Sequence, residues 1–181
     1  MRLLSRDYIE LLMSTGMRSG KESLNIHWKH IEWYVDHKTD KRYLRIWVSG
    51  KTGARYLIAK HYAEAALQRL ANRERVFAGL TLDEVLRKKY NIPLFRLSDG
   101  TQPKSFHTTF IWLMKASGLL KDTATGQNRT LYSLRHSYAT MALIEGNMDV
   151  HTLAKQMGTS VGMLERHYSK MTATLAAERL A

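Results

Sequence analysis

The residues best suited to chemistry lie in three stretches that are far apart in the sequence. The first stretch, TGMRSGKE, contains Arg18 and Glu22, and the second, SGKTGA, contains Lys51. The third runs from LYSLRHSYAT to MGTSVGMLERHYSK and contains Arg135 and Tyr168. Arginine keeps its charge and offers paired N–H donors to phosphate oxygens. The two arginines therefore favour a phosphate group as the ligand.

The charge of the chain favours a polyanionic partner. Lys and Arg number 28 against 16 Asp and Glu, which gives a net charge of +12 and a pI near 10.0. Each phosphate that a basic surface neutralises releases condensed counterions, so this excess is typical of nucleic-acid binding. A ribosome-associated or merely basic domain stays open on charge alone.

Several other classes of site are disfavoured. The sequence has no cysteine, which excludes disulfides, thiolate nucleophiles and thiolate metal sites. No third ligand with metal-site spacing follows the pair His27 and His30, so we expect these two to lie at the surface where a helix meets a strand. The sequence has no glycine-rich loop of the P-loop or Rossmann type. No apolar run approaches the length that crosses a bilayer.

The order and spacing of the candidate residues resemble the tyrosine recombinase (phage integrase) family over essentially the whole chain. The family's catalytic domain opens with a TG-hydrophobic-Arg motif on a helix and continues with a β-hairpin that bears a lysine. It closes with an LRH box and, after a characteristic interval, a tyrosine. All four parts occur here in that order. The segment PLFRLSDGTQPKSFHTTFIWLMKASGL is also similar to the family's middle segment.

The resemblance implies an enzyme that breaks and rejoins DNA strands without a metal or a cofactor. Tyr168 would attack the scissile phosphate to give a 3′-phosphotyrosine, which preserves the bond energy for rejoining. Arg18 and Arg135 would bind that phosphate and stabilise the charge that grows in the pentacoordinate transition state. Lys51 would donate a proton to the departing 5′-oxygen.

Four further positions are assigned by their match to the family pattern. Glu22 matches an acid that orients its neighbours, and His136 follows Arg135 directly and would support packing or a hydrogen bond. Two positions depart from the pattern: Tyr132 replaces a common histidine before the second arginine, and Thr159 replaces a common His or Trp before the nucleophile. Both residues offer a hydroxyl group for hydrogen bonding, so we expect activity to survive at a lower rate.

Two rival interpretations stay open. The segment TLAKQMGTSVGMLER places Ala154, Gly158, Val161 and Leu164 at the spacing of a helix-turn-helix, which is typical of a DNA-binding regulator. That interpretation leaves the two arginines and the lysine-bearing turn unexplained. The replacements at positions 132 and 159 would also suit a recombinase-like protein that binds DNA but has lost catalysis.

The elements that must position these residues form a mainly helical α+β domain. Aromatic and β-branched residues predict a small three-stranded antiparallel sheet whose turns are HKTDKR and SGKTGA. The strands are expected at Ile31–Val35, Tyr43–Val48 and Arg55–Ala59. Apolar spacing and caps predict helices at Tyr8–Met17, near Glu22–Ile26, at His61–Asn72, after an N-cap at Thr81, at Lys104–Ser117, from an N-cap at Ser133 to Glu145 with Gly146 as the stop, at Val150–Met157, at Val161–His167 and at Thr172–Leu180.

The resemblance also implies partners and organisation. Residues 1–181 are expected to form one catalytic domain, with the family's N-terminal DNA-clamp domain absent from this chain. The expected partner is double-stranded DNA, on which the protein would act as a homo-oligomer, a tetramer, without membrane association. The expected location is cytoplasmic and nucleoid-associated, in a bacterial or phage-encoded system. The final predicted helix would pack either on its own core or on a neighbouring protomer.

Overall fold

A computed structural model describes residues 1–145 and 148–167 of the chain. Tyr168, Gly146 and the predicted helix Thr172–Leu180 lie outside the described residues. The elements are α1 (Arg2–Thr15), α2 (Lys21–Leu24), a 3₁₀ turn (Trp28–His30), β1 (Ile31–Asp36), β2 (Lys41–Gly50), β3 (Gly53–Ile58), α3 (Ala63–Ala71), a second 3₁₀ turn (Arg75–Phe77), α4 (Leu82–Arg87), α5 (His107–Ala116), α6 (Leu131–Glu145) and α7 (Val150–Met157). Residues 161–167 are also helical. The predicted α+β class is confirmed.

The three strands form one antiparallel sheet in the order β1-β2-β3, as predicted. Side chains alternate between its faces, and Ile46, Val48 and Leu57 are buried on the inner face. Gly50 pairs with Gly53, which leaves Lys51 and Thr52 as a two-residue turn. Gly53 takes a positive φ of 95°, which is typical of the glycine that closes a type I turn with a bulge. The hairpin therefore presents Lys51 at one end of the sheet.

Among residues 1–145 and 148–167, the core consists of two hydrophobic clusters. The larger one joins α1, the inner face of the sheet, α3, α4 and α5, and includes Leu12, Ile46, Leu67, Val85 and Phe110. The smaller one joins α6, α7 and residues 161–167, and includes Tyr138, Ala142, Leu153, Met157 and Leu164. No helix in the described ranges is long and apolar enough to cross a membrane.

The clusters come together at the end of α1. Gly16 ends that helix in the left-handed region, at φ 66°, and a Cβ atom there would lie 2.2 Å from the Tyr138 ring. Glycine at this position therefore allows α1 to end in the left-handed conformation and α6 to pack closely against it. This contact brings the first and the last of the predicted motifs side by side.

Most predicted element positions are confirmed, and two details are wrong. Thr81 caps α4 through a reciprocal capping box with Glu84, as predicted. Ser133 is not an N-cap: α6 begins at Leu131, and the Ser133 hydroxyl accepts a hydrogen bond from the Thr130 backbone at 3.0 Å from within the first turn. Arg18 does not lie on a helix, because α1 has already ended at Thr15.

Candidate active site

Five of the predicted site residues line one open cleft of about 760 Å³. The loop after α1, the β2–β3 turn, the start of α6 and the turn after α7 form its walls. The predicted residues in it are Arg18, Lys51, Tyr132, Arg135 and Thr159. Residues that are far apart in the sequence therefore meet in one cleft. Tyr168 follows His167, the last described residue, and lies outside the described part of the chain.

Arg18 is held from three sides. Its backbone N–H donates to Glu22 Oε1 at 2.9 Å and its Nη1 donates to Glu22 Oε2 at 3.2 Å. Nη1 also donates to the Thr52 hydroxyl at 3.0 Å, and Nη2 donates to the carbonyl of Gly158 at 2.5 Å. The Thr52 hydroxyl in turn donates to the same Gly158 carbonyl at 3.1 Å. The loop after α1 is thereby tied to both the hairpin turn and the end of α7.

Arg135 is the most buried arginine of the cleft, with 3% of the residue exposed. Its Nη1 donates to the carbonyl of Gly16 and its Nη2 to the carbonyl of Met157, the latter at 2.7 Å. Burial and the neighbouring Arg18 guanidinium lower the pKa of Arg135 from its ordinary value. The two guanidinium groups repel each other in a partly desolvated site. A bound anion would therefore stabilise both charges.

Glu22 is the buried carboxylate of the site, and Arg55 is the residue that sequence reasoning missed. Burial favours a raised pKa for Glu22, but hydrogen bonds from Arg55 and from the Arg18 backbone hold that pKa below its ordinary value. Arg55 bonds both carboxylate oxygens, at 3.1 Å and 2.8 Å. A signal existed in the sequence, since Arg55 and the core residue Leu57 share one face of β3 by alternation.

The C-terminal end of α7 supplies the remaining acceptors. The carbonyls of Gln156, Met157 and Gly158 accept hydrogen bonds from the guanidinium groups of the site. Such carbonyls have no partner within the helix and carry its partial negative charge. In the described part of the site, three arginines thus surround one carboxylate and one helix end, which leaves a positive excess.

The Gln156 side chain fixes this helix end to the sheet. Its amide nitrogen donates to the carbonyls of Ile58, at 2.8 Å, and Thr15, at 3.1 Å. Its amide oxygen accepts from the backbone N–H of Ile58 at 3.1 Å. Gln156 therefore joins α7, the edge strand β3 and the end of α1.

The other predicted residues line the cleft or, in the case of His136, a small pocket beside it. Lys51 is exposed at the hairpin tip. Tyr132 is 48% exposed and packs edge-on against His136, with ring centroids 4.9 Å apart. Burial, His167 and Arg135 together lower the pKa of His136. Thr159 follows the left-handed Gly158, and its backbone N–H donates to the carbonyl of Ala154 at 3.0 Å.

The segment from α7 through residues 161–167 is two short helices joined by a turn, as the rival interpretation expected. Ala154 and Leu164 are buried in the smaller core cluster, while Gly158 at the turn accepts from Arg18. The turn is therefore part of the cleft. His27 and His30 lie where the first 3₁₀ turn meets β1, as predicted, and no group of three or more potential metal ligands occurs among residues 1–145 and 148–167.

No protein-family model matches the chain, and no curated protein matches it significantly in sequence. Solved structures do match. The XerH site-specific recombinase bound to palindromic difH substrate, in a post-cleavage complex, superposes with a TM-score of 0.64 at 19% identity, covering 97% of this chain and 44% of that one.

Two further structures support the same likeness. The Tn1549 transposon integrase in complex with transposon right end DNA has a TM-score of 0.58 at 21% identity and covers 98% of this chain and 58% of that chain. The XerA recombinase has a TM-score of 0.54 at 22% identity, with 94% and 60% covered. The chain thus spans roughly half the length of the proteins it matches. The fold of this chain is that of the tyrosine recombinase catalytic domain.

Proposed function

We propose that this chain is the catalytic domain of a site-specific DNA recombinase that cleaves and rejoins DNA through Tyr168. The observation that carries the proposal is the convergence of Arg18 and Arg135 on one cleft with a positive excess, beside the hairpin that bears Lys51. Two of the structures with this fold were solved with DNA, one of them after cleavage. Double-stranded DNA is the proposed partner, and a tetramer on DNA the proposed acting assembly.

In this mechanism the non-bridging oxygens of the scissile phosphate accept hydrogen bonds from the Arg18 and Arg135 guanidiniums. Donors that are already fixed need no reorganisation as charge grows in the transition state. The Tyr168 phenol gives its proton to water and attacks phosphorus, the bond to the 5′-oxygen breaks, and Lys51 protonates that oxygen. Attack by a second 5′-hydroxyl reverses these steps and releases the tyrosine.

Covalent trapping tests the nucleophile. The protein is incubated with radiolabelled, nicked duplexes of randomised core sequence and analysed on denaturing gels beside Tyr168→Phe. We expect a protein–DNA band that survives denaturant and is absent in the variant. If DNA is bound but no band forms, even with a clamp domain from a related protein supplied in fusion, the proposal is overturned.

A second substrate tests Lys51. A duplex whose leaving 5′-oxygen is replaced by sulfur does not need a proton, because a thiolate is a good leaving group. We expect Lys51→Ala to slow cleavage of the ordinary duplex by about 10²–10⁴-fold and to cleave the sulfur substrate at close to the wild-type rate. An equal loss on both substrates would show that Lys51 does not act as the acid.

The regulator interpretation is favoured by one observation, the two-helix segment from α7 to residue 167. A regulator of that type reads one base sequence with its second helix, and never forms an adduct. Selection of one tight-binding sequence from the randomised pool, with no adduct on that sequence, would identify it. A recombinase-like protein without catalysis would bind DNA but would neither form an adduct nor select one tight-binding sequence.

A further inference from the structure

Arg55 lies between the two proposed phosphate-binding arginines, although it does not line the cleft. Its Nη groups bond both oxygens of Glu22, the carboxylate that holds Arg18. Its Nη2 also donates to the carbonyl of Met157 at 3.0 Å, and Arg135 donates to that same oxygen at 2.7 Å. The Arg55 side chain therefore contacts both Glu22, which holds Arg18, and the Met157 carbonyl, which holds Arg135.

The environment of Arg55 leaves it little freedom. Its side chain is 14% exposed, and its Nε donates to the carbonyl of Gln156 at 3.2 Å. All three of its nitrogens are thus used on the carboxylate and on the end of α7. Each Arg55 nitrogen donates to a protein group and none is directed at a substrate. Arg55 can therefore act on the site only through the groups that it contacts.

Gly158 completes the arrangement. A Cβ atom at this position would lie 2.5 Å from the Arg55 guanidinium carbon, so the planar group packs directly on the backbone of the turn. Only a flat, forked cation fits this space while bonding a carboxylate and two carbonyls at once. The ammonium of a lysine is a single point and would reach fewer of these acceptors.

From these contacts we propose that Arg55 is a positioning residue that sets the separation and orientation of Arg18 and Arg135. This inference rests on the proposed function and adds a third arginine to the site. Reacting groups displaced by about 1 Å lose roughly 10²-fold in rate. Loss of Arg55 would therefore reduce cleavage while leaving the DNA-binding surface in place.

The test compares Arg55→Lys with Arg45→Lys. Arg45 is a matched control because it lies on the same sheet and also bonds a carboxylate, that of Glu32, away from the cleft. Single-turnover adduct formation on a nicked duplex, DNA affinity and thermal midpoint are measured for both. We expect Arg55→Lys to slow adduct formation by about 10–100-fold while DNA affinity changes by less than about threefold. We expect Arg45→Lys to change neither the rate nor the affinity.

A double-mutant cycle with Glu22→Gln identifies the route of the effect. If Arg55 acts through Glu22, the loss in the double variant is much smaller than the product of the two single losses. Independent, multiplying losses would overturn the inference, as would an unchanged rate in Arg55→Lys.

A readout without chemistry separates this inference from the proposed function. The ¹⁵N-edited NMR signals of the arginine Nε–H groups report the surroundings of each guanidinium. We expect Arg55→Lys to shift the signals of both Arg18 and Arg135 in the protein without DNA, and Arg45→Lys to shift neither. Unmoved signals would overturn the positioning role even in an active enzyme, whereas shifted signals in a protein that forms no adduct would overturn only the proposed function.

Discussion

In the part of the chain that the structure describes, two arginine clusters are built on buried carboxylates, and they differ in how the charge is balanced. In the first, between α1 and α3, Arg6, Arg69 and Arg73 surround Asp7 and Glu10. In the second, at the cleft, Arg18 and Arg55 pair with Glu22, whereas Arg135 donates to the backbone carbonyls of Gly16 and Met157. Carbonyls at the end of α7 also accept from Arg18 and Arg55.

The two clusters also differ in their access to solvent. The arginines between α1 and α3 keep about a third to a half of their side chains exposed, so water screens them. At the cleft, Arg135 is almost fully buried and lies close to another cation. Similar ion-pair chemistry thus joins two helices in one place, and in the other leaves a desolvated positive excess that an anion can relieve.

The largest expected effect separates the clusters by chemistry. Arg135→Ala should slow single-turnover adduct formation by about 10²–10³-fold, because a fixed donor to the transition state is lost. Arg69→Ala should leave the rate within about threefold, since it removes only a helix–helix contact, while lowering stability by an amount on the order of 1–3 kcal/mol. Both variants are assayed well below their thermal midpoints. Equal rates for the two variants would remove the distinction.

The next effect concerns stability and pH at Glu22. Glu22→Gln should cost on the order of 2–4 kcal/mol near neutral pH, because buried guanidiniums lose their charge partner. The pKa of Glu22 is lowered in the folded protein, so the unfolded chain takes up the proton first as pH falls. The contribution is therefore full above the ordinary carboxyl pKa and is lost as pH falls through the lower folded value.

Denaturant unfolding of wild type and Glu22→Gln across this acidic range provides the measurement. The difference between their free energies of unfolding should shrink steadily as the pH falls. A difference that stays constant would show that the Glu22 charge does not stabilise the cleft.

A smaller effect is expected from the glycine at the end of α7. Gly158→Ala and Gly126→Ala both place a side chain at a positive φ, 62° and 69°, which costs about 1–2 kcal/mol. Only Gly158 is crowded, by Arg55, whereas nothing lies within 4 Å of a Cβ at Gly126. We expect the extra loss of thermal stability, and any loss of cleavage rate, to be confined to Gly158→Ala. Matching midpoints for the two variants would show that Arg55 moves away without cost.

The smallest effect is expected at Thr159. Thr159→Ala should slow adduct formation by less than about tenfold, because a neutral hydroxyl contributes on the order of 1 kcal/mol. Single-turnover rates decide the outcome, with the exposed loop variant Thr123→Ala as the control. A normal rate would show that the Thr159 side chain is not needed, and a loss above about 10²-fold would place it among the main phosphate contacts.

The sequence by itself determined the fold class, the three strands and the presence of the Lys51 turn. These follow from local patterns: alternation in β1–β3, the glycine of a tight turn, and the capping box at Thr81. Resemblance in the order of motifs also identified Arg18, Glu22 and Arg135 as candidates. Local signals failed at the start of α6, because Ser133 accepts a backbone hydrogen bond from inside the helix as readily as it would cap one.

Only the tertiary structure decided which distant residues meet at the cleft. Arg55 is separated from Glu22 by 33 positions and from Met157 by 102, and no local pattern encodes such contacts. The tertiary structure likewise showed that backbone carbonyls at the end of α7, and not further carboxylates, accept hydrogen bonds from the arginines of the cleft. The physical reason is that periodicity reports which face of an element is buried, whereas the partner of a buried charge depends on how elements pack.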